Sequence, residues 1–331
     1  MQKKHLIFID SLRGTACLIV MLAHILASDP EYGMFANGCG KIGVWCFLML
    51  SGFLAMQSME YTKNHNPERW SIWLINYYLK KLLRLYPMYT AALLFALWIG
   101  VIPSFTDMIK HLICLDGTGH FWYMPVIIKF YLLLPVGYFL YNMLSKRWFL
   151  SVHILAAILC SLVFPFTSYT ENSIQFRWYF PVFVIGMLIY GIYEQIPKIQ
   201  SRHHYLFSGI AVADILVMIM FTPLMRKILW NITPGPWLQN KYLLYAVLWG
   251  ILLLALSNRD IPEHWNGIHK LIGWLSRYSY ELYLFHYLFL SWFNRFIPNT
   301  IIRGGAVLLS SAVCSVVINY IITSFQKHRE S

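Results

Sequence analysis

An arginine and a histidine stand eleven positions apart in IDSLRGTACLIVMLAH, residues 9–24, inside an otherwise apolar run. Eleven steps at about 100° each bring a helix back to within about 20° of its starting face. Arg13 and His24 therefore share one stripe, about 16 Å apart along the axis. A neutral imidazole deep in an apolar helix is a candidate proton acceptor for an attacking hydroxyl. Arg13, nearer the start, is suited to an anion, or serves as a snorkelling anchor at the membrane edge. Asp10, three residues before Arg13, either orients it or caps the helix.

Further polar groups sit in other apolar runs. KKLLRLYPMY (80–89) carries Lys80, Lys81 and Arg84, cations fit for phosphate groups or for a positive membrane flank, with Pro87 at the first turn of a span. SRYSYELYLFH (276–286) places Ser279, Tyr283 and His286 on one helical face. GHFWYMPVIIKFYLLLP (119–135) contains His120 and Trp122 at the mouth of a span, for sugar stacking or for an interfacial belt. It also contains Lys129, which needs a partner at membrane depth; Glu281 is a candidate. GKIGVWCFLMLSGFL (40–54) mixes Gly40, Gly43, Ser51 and Gly52 with large apolar residues, a pattern that by itself signals close helix packing.

The chain that positions these groups has 331 residues, 58% hydrophobic and only 12% charged. A water-facing surface needs about twice that charge, so the composition excludes a soluble domain. The 17% aromatic content suits interfacial belts. The expected fold class is all-α: a polytopic integral membrane protein of about ten helices in a single unit over 1–331. The spans fall near 12–29, 39–58, 82–102, 121–141, 149–167, 178–195, 205–223, 242–257, 278–296 and 304–325. The net charge of +12 is read by position: Lys and Arg concentrate on alternate connections, which places both termini in the cytoplasm. The stretch 62–87 reads as an interfacial amphipathic helix leading into the third span. The 104–120 and 224–241 connections are expected outside. No cleavable signal precedes the first span, and no internal repeat is visible. The six scattered cysteines show no metal or redox spacing, and nucleophile elbows, zinc motifs and nucleotide loops are lacking.

Taken together, Arg-x10-His, GVWCFLMLSGFL, KKLLRLYP and YSYELYLFH, in that order, resemble the acyltransferase-3 family of integral-membrane acyltransferases. The resemblance runs over nearly the whole chain, without an appended hydrolase-like domain. It implies transfer of an acyl group, usually acetyl from cytoplasmic acetyl-CoA, to a hydroxyl of a surface polysaccharide or lipid-linked glycan. His24 and Arg13 are then the catalytic pair, and Lys80, Lys81 and Arg84 bind acyl-CoA. Asp10, Ser51, Tyr283 and His286 support them, and His120 with Trp122 face the acceptor. The expected partners are acyl-CoA, the glycan and membrane lipid at the inner (plasma) membrane, with no metal and no nucleic acid. Many relatives carry a carboxylate in the fourth span where this chain has Lys129, so that acid's role does not carry over. A proton-coupled saccharide transporter and an acyltransferase with a small-molecule acceptor are the competing readings.

Overall fold

The computed structural model describes residues 7–36, 38–65, 70–117, 119–163, 176–193, 203–222, 225, 241–256 and 266–330. These are mostly helical, with short turns between the helices and no strand among the described residues. The helices are α1 (Ile7–Ala27), α2 (Pro30–Ala36), α3 (Gly40–His65), α4 (Trp70–Trp98), α5 (Phe105–Leu112), α6 (Tyr123–Val163), α7 (Phe176–Tyr193), α8 (His204–Met220), α9 (Lys241–Leu256), α10 (Asn266–Arg277), α11 (Ser279–Phe293) and α12 (Thr300–Glu330). Four stretches are long and apolar enough to cross a bilayer: Phe8–Ala27, Gly40–Lys63, Gly119–Ser145 and Thr300–Ile322. Tyr179–Tyr193, Tyr205–Met220 and Leu244–Leu256 are shorter apolar helices.

The expected segments near 121–141 and 149–167 are two helical stretches of α6, parted where Trp148 leaves helical geometry (φ −132, ψ 42). Two elements differ from the expected spans. The expected interfacial helix and third span join, as α4, because nothing in residues 70–86 stops a helix. Pro87 consequently lies inside α4 rather than in its first turn, removing the backbone bond to the carbonyl four residues earlier. Second, the connection before α11 contains α10, an amphipathic helix whose Ile268 and Leu271 are exposed while its other side packs on α1. Its twelve residues are too few to cross a bilayer. Most of the expected 224–241 connection lies outside the described residues.

The centre of the bundle is α3. Its apolar window is 72% buried, against 17% for α12, whose exposed Ile and Val side chains suit lipid. Small residues set the approach. A Cβ on Gly43 would stand 2.4 Å from the Ala16 carbonyl oxygen of α1. On the opposite flank Gly52 and Gly186 bring α3 against α7: a Cβ on Gly186 would meet the Met49 oxygen at 2.0 Å, and one on Gly52 the Phe183 oxygen at 2.3 Å. Lipid supplies no hydrophobic drive for association, so such close approaches and their dispersion contacts hold the bundle. Phe130 of α6 stacks on Phe183 of α7 with centroids 3.8 Å apart.

Polar bonds fix the relative heights of the helices. Tyr77 and Tyr78 of α4 donate to the Tyr131 and Leu132 carbonyls of α6 at 3.2 and 3.0 Å. Trp249 of α9 donates to the Ile42 carbonyl at 3.0 Å. Beyond the end of α1, Thr300 donates to Asp29, and the Arg303 guanidinium donates to Ser28 Oγ at 3.0 Å, tying α1 to the start of α12.

Candidate active site

The polar stripe of α1 faces the polar stripe of α11. Arg13 Nη2 donates to Ser279 Oγ at 3.1 Å, and His24 Nδ1 lies 2.8 Å from His286 Nε2. Eleven residues of α1 thus match seven of α11, about 16 Å against about 10 Å of helix rise. The long Arg13 side chain spans the difference. Between the two contacts, Cys17 Sγ donates weakly to the Ser279 carbonyl at 3.9 Å.

The hydrogen bonds assign the imidazole tautomers. His286 Nδ1 lies 2.9 Å from the Leu282 carbonyl oxygen, which only accepts, so Nδ1 carries the proton. In neutral His286 the Nε2 atom is then an acceptor, and His24 Nδ1 donates to it. His24 Nε2 is left with its lone pair free to take a proton. The ring behind His24 therefore orients it much as a carbonyl or carboxylate orients other basic histidines.

His24 borders a cavity of about 270 Å³ together with Gly40, Lys41, Trp45, Gly119, His120, Trp122, Tyr179, Tyr283 and Tyr287. Gly40 matters here for space: a Cβ there would stand 3.5 Å from His24 Nε2. One wall is rigid, since Tyr179 is stacked between Trp45 and Trp122 with centroids 5.4 and 4.6 Å away. His120 and Trp122 reach the cavity from a single 3-10 turn, Gly119–Trp122, which Gly119 begins at φ +60. His120 is buried, and its Nε2 has no hydrogen-bond partner among the described residues. A buried orphan of this kind is costly unless a bound group satisfies it.

A second cavity, about 360 Å³, lies toward the start of α1. Arg13, Lys81 and Arg84 give it a basic lining, and Asp10, Ser51, Tyr123, Tyr131, Ser279 and Tyr283 complete its polar wall. Lys81 Nζ is held 4.4 Å above the Tyr131 ring and 5.6 Å from that of Tyr77. Such cation–π contacts aim the ammonium without neutralising it. Asp10 accepts from Ser276 Oγ of α10 at 2.9 Å. Because α1 begins at Ile7, Asp10 sits within its first turn and is not the residue that caps it.

The structure brings Arg13, Asp10, Ser51, Lys81, Arg84 and Tyr283 to the basic cavity. It brings His24, His120, Trp122 and Tyr283 to the histidine cavity, with His286 behind His24. Lys80 is left out: it is exposed and lines neither cavity. Lys129 forms no ion pair with Glu281, whose Oε1 instead accepts from Asn319 at 2.9 Å. The sequence reading missed Tyr123, Tyr131, Trp45, Tyr179 and Tyr287 as cavity walls, because in so aromatic a chain a further ring carries no signal. It took Gly40 for packing alone.

A family model described as an acyltransferase domain matches residues 6–324, nearly the whole chain. Searches of curated proteins and of solved structures gave no significant match.

Proposed function

Because this chain belongs to the acyltransferase-3 family, a family of membrane acyltransferases, we propose that it moves an acetyl group from acetyl-CoA to a hydroxyl of a surface polysaccharide or lipid-linked glycan. The basic cavity takes the donor. Arg13, Lys81 and Arg84 supply charge for the CoA phosphates, and Arg is suited to bidentate contact. The histidine cavity takes the acceptor, with aromatic surface and the His120 ring beside the reacting hydroxyl.

In the reaction, His24 Nε2 removes the acceptor's hydroxyl proton while that oxygen attacks the thioester carbonyl carbon. The tetrahedral adduct collapses, the C–S bond breaks, and the sulfur leaves as the thiol after taking the proton from His24. An O-acetyl ester and free CoA result. The imidazolium formed in passing keeps its Nδ1–H bond to His286, so His24 need not rotate between the two proton transfers. The orientation that serves this scheme has both termini in the cytoplasm and the basic cavity open to that side of the plasma membrane, in line with the Lys and Arg bias.

The observation that carries the reading is the free Nε2 of His24, set by His286 and bordered by a cavity that adjoins a basic one. The test is transfer of labelled acetyl from acetyl-CoA to envelope glycans in membranes, with mass spectrometry of surface glycans with and without the gene. Label that stays in CoA with every glycan fraction would overturn the acceptor. Label moving to a small soluble molecule would replace it.

A further inference from the structure

The two cavities meet at one side chain. Tyr283 lines both, whereas Arg13, Lys81 and Arg84 border only the basic cavity and His24 and His120 only the other. Tyr283 is 6% exposed, with its ring tilted against Tyr123 at 5.3 Å and His286 at 5.9 Å. Its hydroxyl donates to the His120 backbone carbonyl at 3.0 Å. The ring is therefore pinned to the same 3-10 turn that presents His120 and Trp122 to the histidine cavity.

We infer that Tyr283 is the partition that couples donor cleavage to acceptor binding. The inference rests on the acyl transfer proposed above. A thioester in the basic cavity faces a base only through the Tyr283 wall. With the ring in place, water in the histidine cavity, activated by His24, does not reach the thioester carbon. An acceptor that fills the histidine cavity presses on the Gly119–Trp122 turn, and the tether at His120 passes that displacement to the ring. The unwanted reaction is hydrolysis: water oxygen bonds to the acyl carbon, the C–S bond breaks, and acetate and CoA thiol are released. Excluding water from a reactive centre until the correct substrate is bound is a general use of such walls. Tyr283 is in this sense a positioning residue, whose role is read in a ratio of products rather than in rate alone.

The experiment compares purified wild type with Tyr283→Ala, Tyr283→Leu and Tyr283→Phe, given labelled acetyl-CoA with and without glycan acceptor. Free thiol, acetate and acetylated glycan are measured. Without acceptor, Ala and Leu should release CoA about tenfold faster than wild type, in step with acetate. With acceptor, their acetylated glycan per CoA released should fall. Phe keeps the ring but lacks the hydroxyl bonded to His120, so without acceptor it should release CoA near the wild-type rate, and with acceptor it should transfer more slowly than wild type. Leu preserves most of the packed volume, so it stands as the test if Ala does not fold. Leu that transfers to glycan while releasing no more acetate than wild type overturns the partition and leaves the transfer reaction standing. A wild type that transfers to no acceptor overturns the functional reading itself, whatever the variants do.

Discussion

His24 and His286 are joined by a 2.8 Å contact between Nδ1 and Nε2, with ring centroids 5.1 Å apart and planes inclined by 10°. The Leu282 carbonyl fixes the proton on the far nitrogen of His286, and this decides which nitrogen of His24 is the base. A paired histidine is thereby distinguished from an isolated one filling space between helices.

His24→Ala should lower acetyl transfer by about 10²–10⁴, the usual range for loss of a general base. His24→Gln keeps a hydrogen-bonding side chain without a base and should be as inactive. His286→Phe keeps the ring volume but frees the His24 tautomer. It should lower kcat and alter the pH profile of transfer while the KM for acetyl-CoA stays near wild type. Near-normal transfer by His24→Ala, normalised to protein in the membrane, would make the pair structural.

The cationic residues of α4 divide by position. Lys81→Ala and Arg84→Ala should weaken acetyl-CoA binding, with losses that shrink at high salt as charge contacts are screened. Lys80→Ala should bind nearly as wild type, because Lys80 is not among the residues that line the cavity. Equal effects of all three substitutions would indicate a general positive surface instead of a directed site. Calorimetry on detergent-solubilised protein at two ionic strengths separates these outcomes.

Gly40→Ala places a methyl carbon 3.5 Å from His24 Nε2, an ordinary contact distance that leaves the fold undisturbed. The same methyl occupies the approach to the base. Transfer should fall mainly through a raised KM for the acceptor, while acetyl-CoA affinity and thermal stability hold. A matching loss of stability would point to packing instead of access.

Asp29 lies beyond the end of α1, outside the span. The hydrogen bond from Thr300, with those from the Glu31 and Tyr32 amides, holds its carboxyl below the ordinary value. A depressed carboxyl stabilises the folded state fully above its unfolded value, about 3.9, and loses that contribution as pH falls through the folded value. Thermal unfolding should therefore show wild type more stable than Asp29→Asn near neutrality. The gap should narrow below about pH 4. A gap that is constant with pH would mean that the carboxylate's charge is immaterial to the clamp.

The sequence by itself determined which residues share a helix face. Arg13 and His24, and likewise Ser279, Tyr283 and His286, are placed by the local helical repeat, which apolar runs enforce wherever the backbone must satisfy its own hydrogen bonds in lipid. The resemblance to a family was legible for a related reason, since its motifs lie within single helices. Tertiary structure decided which face meets which. Only packing at Gly43 and Gly52 sets α1 and α7 around α3, and only the resulting register puts His286 behind His24. It also leaves Lys80 off both cavities, gives Glu281 to Asn319, and makes Tyr283 the wall between two cavities. The division of α6 was legible in the sequence, because Lys146 and Arg147 interrupt the apolar run just before the helix breaks at Trp148. Contacts between distant helices depend on crossing angle and height, quantities that no local repeat encodes.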